Sequence, residues 1–241
     1  MPASVLEELF ARGAHYGCSR RRRHPSVSPY LYGFKNRTAV IDLEKSLTAL
    51  ARAEDFLRVE GENRRSVLLV GTKPEARAAV TAAGARLGLS YVVARWIGGT
   101  LTNFSEIKKR LARLDELKKQ LVSGELEKNY TKQERGQFQK EFARLERSFA
   151  TIAGLTSLPS ALLVVDSAVE KIAVEEARSL GLPVVSLSGA DCDIRLLDYP
   201  IVVNDASAQT IEWIINRLAE AYEVGRALVQ TVGSASINDQ H

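Results

Sequence analysis

Cysteine is scarce in this sequence, and long apolar stretches are absent. Cys18 and Cys192 are the two cysteines among 241 residues, and they lie far apart. This excludes the disulfide framework of small secreted domains and favours a reducing compartment, so we expect a cytoplasmic protein. No apolar run approaches the roughly 20 residues that cross a bilayer. The first residues, MPASVLEELFARG, lack the apolar core of a signal peptide, so we expect no membrane partner.

The motifs that usually identify nucleotide-binding or metal-dependent enzymes are also absent. The sequence contains no GxGxxG, no GxxxxGK followed by Ser or Thr, no CxxC and no HExxH. Asp166 and Asp191 would be the acid–base candidates of an enzyme, but no nucleophile is paired with either. The turn Gly71–Lys73 precedes a predicted helix, and a lysine at a helix N-terminus is a workable phosphate site. An α/β sugar-phosphate-binding enzyme with its phosphate at Gly71–Lys73 is therefore the alternative function, and no cofactor is predicted.

Two short clusters contain residues that often bind metals. His15 and His24 lie near Cys18, and Asp191-Cys192-Asp193 forms the second cluster. Because strand-end loops converge on one face of a parallel sheet, the two clusters could meet. Buried structural cysteines and solvated carboxylates would produce the same pattern. The sequence therefore leaves open whether a metal binds near Cys18, His24, Asp191 and Cys192, and we predict no ligand set.

Short apolar runs alternate with segments of helical periodicity along most of the chain. The runs are Thr38–Leu43, Ser66–Gly71, Tyr91–Ala94, Ala161–Asp166, Pro183–Ser188 and Pro200–Val203. They are almost continuously apolar, which is typical of strands that are buried on both faces. Helical patterns cover Leu43–Glu60, Pro74–Leu87, Ala168–Leu180 and Ser207–Val229. This order predicts an α/β fold, with a parallel sheet flanked by helices on both faces.

The middle of the chain departs from this alternation. Apolar residues recur every three or four positions from Phe104 to Leu121 and again from Phe138 to Ile152. A turn at Ser123-Gly124 and a capping box from Thr131 to Glu134 separate them. We predict an inserted antiparallel coiled-coil hairpin over residues 104–153 that projects from the sheet, with two ordinary surface helices as the alternative. The remaining divisions are an N-terminal helix and basic arm (1–37), an α/β domain (38–103 and 154–229) and a disordered tail (230–241).

The net charge of +4 is unevenly distributed. Seven Lys and Arg residues and no Asp or Glu lie between Phe10 and Arg37, whereas the rest of the chain contains 26 basic and 29 acidic residues. A segregated positive charge indicates a polyanionic partner. Guanidinium groups bind phosphate oxygens well, and Pro25 and Pro29 favour an extended chain. The predicted RNA-binding residues of this arm are Arg20, Arg21, Arg22, Arg23, His24, Lys35 and Arg37.

Aromatic residues alternate along the end of the same arm. Tyr30, Tyr32 and Phe34 either stack on unpaired RNA bases or pack one face of the arm onto the domain, and we expect at least two of them to pack. We expect the arm to become ordered when RNA binds.

A second candidate site is the loop RWIGGTLTN, which follows a predicted strand and precedes the hairpin. Its glycine pair permits a sharp turn and close backbone approach. It lacks the third glycine and the acidic partner of a dinucleotide-binding loop. We interpret it as a loop that places backbone against a large surface such as RNA. Its predicted contacts are Arg95, Trp96, Gly98, Gly99, Thr100, Thr102 and Asn103, together with Lys73, Lys108 and Lys109 nearby.

Several motifs resemble, in the same order, those of the bacterial-type small ribosomal subunit protein S-two family. They are GAHYGCSRRRRHPSVSPYLYG (13–33), LLVGTKPEA (68–76), ARWIGGTLTNF (94–104), LPSALLVVD (158–166) and DYPIVVND (198–205). The resemblance extends from about residue 4 to residue 225. It departs from the family pattern at Cys18, where the family often has His, and at Arg23 and His24, where it has Trp and Asn. These changes add charge and remove a stacking plane, so we expect more phosphate contacts.

This resemblance implies a parallel α/β sheet with an inserted coiled-coil hairpin and a structural, non-enzymatic role. It implies a constituent of the small ribosomal subunit that binds small-subunit ribosomal RNA near the junction of head and body and supports assembly and translation. The implied partners are neighbouring small-subunit proteins, among them the messenger-binding ribosomal protein S-one in bacteria that have one.

Overall fold

Strands and helices alternate along most of the chain, as the apolar runs predict. The computed structural model describes residues 3–123 and 130–235. The strands are β1 (Tyr16–Ser19), β2 (Leu31–Lys35), β3 (Thr38–Ile41), β4 (Val67–Val70), β5 (Tyr91–Val92), β6 (Ala161–Val165), β7 (Val184–Ser188) and β8 (Tyr199–Val202). The helices are α1 (Ala3–Ala11), α2 (Leu43–Glu62), α3 (Pro74–Leu87), α4 (Phe104–Ser123), α5 (Lys132–Phe149), α6 (Lys171–Ser179) and α7 (Ala208–Ala235).

Five strands form a parallel sheet in the order β5-β4-β6-β7-β8. Alternate residues of each strand point to opposite faces, so Val67 and Leu69 join one core cluster while Leu68 and Val70 join the other. The first cluster packs against α2, α3 and α7, and the second against α4, α5 and α6. Both faces are therefore buried, which explains the continuous apolar runs. The predicted fold class is confirmed.

The first apolar run, predicted for the parallel sheet, instead belongs to a separate antiparallel sheet of order β1-β3-β2. Asn36 and Arg37 connect β2 to β3 in a tight turn with φ values of 49° and 65°, which suits a two-residue hairpin. The segment that was predicted to be an extended arm therefore contains two strands, with a 3-10 helix at Pro25–Tyr30 between them. This segment forms hydrogen bonds to the rest of the protein. Because β1 and β2 pair with β3, the sheet extends across the domain boundary predicted between residues 37 and 38.

The described part of the insertion contains α4 and α5, which pack against each other, with Arg113 of α4 3.2 Å from Glu141 of α5. The predicted capping box is present, with Thr131 and Glu134 exchanging hydrogen bonds. Leu117 of α4 and Phe149 of α5 are buried in the second core cluster. The coiled-coil geometry and the projection from the sheet stay predictions. Gly124, in the predicted turn, lies outside the described residues.

The last helix is longer than its sequence pattern predicts. α7 continues to Ala235, so the segment predicted as a disordered tail begins inside this helix, and residues 236–241 lie outside the described part of the chain. Within the described ranges, no helix combines the length and apolar character needed to cross a bilayer.

Candidate nucleic-acid interface

The four consecutive arginines occupy the turn between β1 and the 3-10 helix. The Arg20 amide donates to the Arg37 carbonyl at 2.9 Å, which joins this turn to the β2–β3 hairpin. The guanidinium carbons of Arg20 and Arg23 lie 5.2 Å and 5.8 Å from the centre of the Phe34 ring. Both separations are within cation–π range. Phe34 therefore holds two of the arginines close together.

The cations of this segment differ in their exposure and in the contacts that they already make within the protein. The Arg22 side chain is 74% exposed although it pairs with Asp191 at 3.0 Å, and Arg21, Lys35 and Arg37 are exposed. We call Arg20, Arg21, Arg22, Lys35 and Arg37 the arm surface. Arg23 is only half-exposed, and it donates to Ser28 at 3.1 Å.

His24 was predicted to contact RNA, but its ring has partners within the protein. Nδ1 lies 2.7 Å from the Ser26 hydroxyl and accepts from the Ser26 amide at 3.3 Å, which caps the 3-10 helix. The same nitrogen lies 3.8 Å from an Asp193 carboxylate oxygen. These contacts occupy Nδ1, and the RNA contact of His24 stays a prediction.

The aromatic residues of the arm do not pack as expected. Tyr30 packs against the second core cluster, whereas Tyr32 is 83% exposed and Phe34 is 42% exposed. The expectation that at least two of the three pack onto the domain is therefore wrong. Tyr30 belongs to the 3-10 helix, so the alternation of β2 begins only at Leu31 and turns Tyr32 and Phe34 outward.

The loop RWIGGTLTN (95–103), called the glycine loop from here on, surrounds the carboxylate of Glu176 from the same chain. Glu176 of α6 is buried, and its Oε1 accepts from Trp96 Nε1 at 3.0 Å and from the Gly99 amide at 2.7 Å. Its Oε2 accepts from the Leu101 amide at 2.9 Å and from both the amide and the hydroxyl of Thr102 at 3.2 Å. Gly99 adopts a φ of 86°, which favours glycine and helps these amides to converge.

These hydrogen bonds determine the charge state of Glu176. Burial by itself raises the pKa of Glu176, but the hydrogen bonds from Trp96 and the loop amides outweigh burial and hold the pKa below its ordinary value. The carboxylate is therefore ionised. Trp96 and Thr100 are buried, and the Gly99 amide is occupied by Glu176, so the RNA contacts of these three residues stay predictions without support from this geometry. Arg95, Gly98, Thr102 and Asn103 are exposed.

Glu176 is not among the residues predicted from the sequence, although the sequence contains a signal for it. It lies on the same helix stripe as Ala173 and Ala177, which are both completely buried. A charged residue on an apolar stripe is almost never buried unless it is paired. Its partner could not be named without the fold.

Lys73 is also occupied by carboxylates of the protein. Its Nζ lies 3.0 Å from Asp166 Oδ2 and 2.9 Å from Asp205 Oδ2, at the carboxyl edge of the parallel sheet. Burial by itself lowers the pKa of Lys73, but the two carboxylates outweigh it and raise that pKa. In the same turn, the Thr72 amide and hydroxyl both donate to Glu170. A phosphate at Lys73 would have to compete with these two carboxylates, and the RNA contact of Lys73 stays a prediction.

The two cysteines are free thiols, and Cys192 is buried. Burial, and then the negative charge of Asp166, raises the pKa of the Cys192 thiol to about 11. Over the residues the structure describes, no group of three or more His, Cys, Asp or Glu side chains is placed to hold a metal ion.

The remaining predicted cations are Arg95, in the loop after β5, and Lys108 and Lys109, in the first turns of α4. Arg95, Lys108 and Lys109 are exposed, and we call them the α4 surface. Lys109 pairs with Glu106 at 2.6 Å. This surface follows β5, whereas the arm contacts the loop after β7 through Asp191. Because β5 is an edge strand and β7 lies three strands away, the predicted residues form two surfaces rather than one.

Comparison with known proteins covers both surfaces. The family described as ribosomal protein S2 matches residues 9–225, a range that contains the arm, the glycine loop and the insertion. Small ribosomal subunit protein uS2 of Acidothermus cellulolyticus is 39% identical over 225 residues, which cover 93% of this chain and 82% of that protein. The uS2 protein of Fusobacterium nucleatum subsp. nucleatum is 37% identical over 232 residues, which cover 96% and 94%. This chain belongs to the ribosomal protein S2 family.

Proposed function

We propose that this protein is a structural constituent of the small ribosomal subunit, in the cytoplasm, and that it binds small-subunit ribosomal RNA near the junction of head and body. The observation that carries the proposal is the family match over residues 9–225. The enzyme alternative loses its phosphate site, because Asp166 and Asp205 neutralise Lys73.

In this proposal the protein binds RNA by neutralising and positioning phosphates. The arm surface presents arginine forks, which match phosphate oxygens. Because the arm is folded as a sheet, fewer residues need to be ordered when RNA binds. The α4 surface adds Arg95, Lys108 and Lys109, which follow the edge strand β5 along the chain. Two separate surfaces can hold two segments of RNA together, which supports assembly of the subunit.

A neighbouring protein is proposed to dock on the aromatic residues around β1 and β2. Phe10 is 61% exposed, Tyr16 is 56% exposed and Tyr32 is 83% exposed. The Phe10 and His15 rings stack at 4.1 Å beside a cleft of about 410 Å³ that Tyr32 also lines. Exposed aromatic residues are enriched in protein interfaces. We propose a small-subunit protein as the partner, and S-one where the organism has one.

Sedimentation of a native lysate through sucrose gradients tests the function. We expect this protein to migrate with small subunits in stoichiometric amount at moderate and at high salt, detected by mass spectrometry. A protein found mainly at the top of the gradient at moderate salt would contradict the proposal. As a separate check on the enzyme alternative, sugar phosphates should leave the thermal midpoint of the purified protein unchanged.

A further inference from the structure

A cleft of about 480 Å³ lies between α4 and α5, beside the glycine loop. Four of its nine lining residues are basic, namely Lys109, Arg110, Arg113 and Arg144, and one, Glu141, is acidic. Ile97, Leu145 and Phe149 form an apolar floor. Pockets of roughly 300–1,000 Å³ are typical of sites for small ligands. The cleft therefore combines basic walls, an apolar floor and room for a planar ring.

Two of the four cations already have acidic partners. Arg113 lies 3.2 Å from Glu141 and 2.9 Å from Glu116, and Lys109 pairs with Glu106. Arg110 and Arg144 are exposed, and among the residues that the structure describes neither has a carboxylate within ion-pair distance; after Lys109, the charge of Arg110 contributes to lowering the pKa of Glu106. One belongs to α4 and the other to α5. Two guanidinium groups on opposite walls are thus available to an anion that enters the cleft.

We propose that this cleft seats one unstacked nucleotide of ribosomal RNA, with its phosphate between Arg110 and Arg144 and its base against the apolar floor. Guanidinium forks bind phosphate oxygens bidentately, and RNA bases that leave the stack are recognised by apolar and stacking contacts. Lys109 belongs both to the cleft and to the α4 surface, so the cleft continues a surface already proposed to contact RNA. This inference rests on the proposed function and names the part of the RNA that the chain holds.

Removal of the two available charges tests the phosphate contact. We would measure binding of the full-length protein to small-subunit ribosomal RNA at several salt concentrations. Arg110→Gln with Arg144→Gln should weaken binding about tenfold. It should reduce the slope of log affinity against log salt by about 0.7 to 1.4, as for one or two single-strand phosphates. The control is Lys118→Gln with Lys140→Gln, which removes the same charge from the same helices outside the cleft and should change affinity less than about threefold.

Filling the cleft tests the seat for the base without changing any charge. Ser148 lines the cleft, so Ser148→Trp should occupy the space and weaken binding at least about fivefold. Ala143 is exposed on α5 and does not line the cleft, so Ala143→Trp should bind as the unchanged protein does. Circular dichroism melting curves would verify that each variant is folded. If Ser148→Trp does not fold, the double variant Arg110→Gln with Arg144→Gln still tests the inference, because both of its changed side chains are exposed.

The outcomes separate this inference from the proposed function. If the unchanged protein binds ribosomal RNA and both cleft variants match its affinity and salt slope, the cleft inference is wrong while the proposed function stands. If RNA affinity is unchanged but both variants are lost from small subunits in sucrose gradients, the cleft receives a protein, and the inference is also wrong. If the unchanged protein fails to bind the RNA, the RNA-binding proposal itself is contradicted.

Discussion

At the scale of single residues, Glu176 decides the shape of the loop that joins β5 to α4. Its carboxylate accepts five hydrogen bonds from Trp96, Gly99, Leu101 and Thr102. Converging backbone amides form anion-binding sites, and in many proteins they hold the phosphate of a ligand. Here the fold supplies the anion itself, so the loop can hold its shape before any RNA arrives.

Replacement of this carboxylate should therefore destabilise the protein. Glu176→Gln leaves the side chain with one acceptor oxygen and turns an NH₂ group toward amide donors, which should lower the free energy of unfolding by about 3 kcal/mol. The control is the exposed neighbour Glu175, which pairs with Lys171 at 3.7 Å; for Glu175→Gln we expect a change below about 0.5 kcal/mol. Urea unfolding measures both values. Equal effects would show that the loop does not depend on Glu176.

Asp205 should make stability depend on pH. Burial, together with the charge of Asp166, raises the pKa of Asp205 to about 6, although Lys73 opposes the shift. The folded state therefore binds more protons than the unfolded state between about pH 4 and 6, and the free energy of unfolding contributed by Asp205 falls as pH rises through this window. Asp166, whose pKa is lowered, acts at lower pH.

The measurement is the difference in unfolding free energy between the unchanged protein and Asp205→Asn from pH 4.5 to 7. We expect the unchanged protein to lose stability relative to this variant as pH rises toward 6. The control is Asp55→Asn, which removes an exposed carboxylate that pairs with Arg58 and is measured over the same pH range. A flat difference for Asp205→Asn would contradict the raised pKa.

At the scale of elements, two glycines let α2 and α7 approach closely. A Cβ atom on Gly61 would lie 2.1 Å from the Tyr222 carbonyl oxygen, and one on Gly225 would lie 2.0 Å from the Arg58 carbonyl oxygen. Each glycine thus faces the backbone of the other helix. The sequence pattern placed the end of α2 at Glu60, whereas the helix continues through Gly61 to Glu62.

Alanine at either position should force the two helices apart. We expect Gly61→Ala and Gly225→Ala each to destabilise the fold by about 3 kcal/mol, because backbone atoms cannot yield as a flexible side chain does. Gly136 of α5 is the matched control, since a Cβ there meets nothing within 4 Å; Gly136→Ala should stabilise by up to about 1 kcal/mol. Thermal or urea unfolding distinguishes the two classes. Similar stabilities for all three variants would refute the close contact.

At the scale of the whole molecule, the positive charge is concentrated where the chain has the fewest acidic residues. The arm contributes its cations from a small sheet attached to the carboxyl edge of the large one, with Asp191 the acidic partner of Arg22. Binding to RNA through such cations releases counterions and weakens as salt increases.

Loss of the arm arginines should therefore change the salt dependence of RNA binding. Arg20→Gln, Arg21→Gln and Arg22→Gln together should weaken binding and reduce the salt slope by roughly 2 to 3, since each lost phosphate contact contributes about 0.7 to 0.9. The control replaces the exposed Arg52, Arg64 and Arg86, which lie on or next to α2 and α3. The same slope for both triple variants would leave the arm without a specific role.

The sequence by itself determined the strands of the parallel sheet, the existence of its long helices and the family of this protein. Parallel strands buried on both faces need apolar residues at nearly every position, so Val67–Val70 and Ala161–Val165 are visible in a short window. The capping box at Thr131 and the arginine run are equally local. Motifs such as ARWIGGTLTNF keep their order along the chain, and this order identified the family.

Only the tertiary structure decided which groups meet. Glu176 is separated from Gly99 by 77 residues, and Lys73 from Asp205 by 132. No local pattern records such pairs, because the carboxyl ends of parallel strands and the helices that follow them converge only when the sheet forms. For the same reason the run at Thr38 joined the arm's own sheet. In the folded protein, the glycine loop binds Glu176 and Lys73 binds Asp166 and Asp205. The cleft that Arg110 and Arg144 line stays accessible to a ligand.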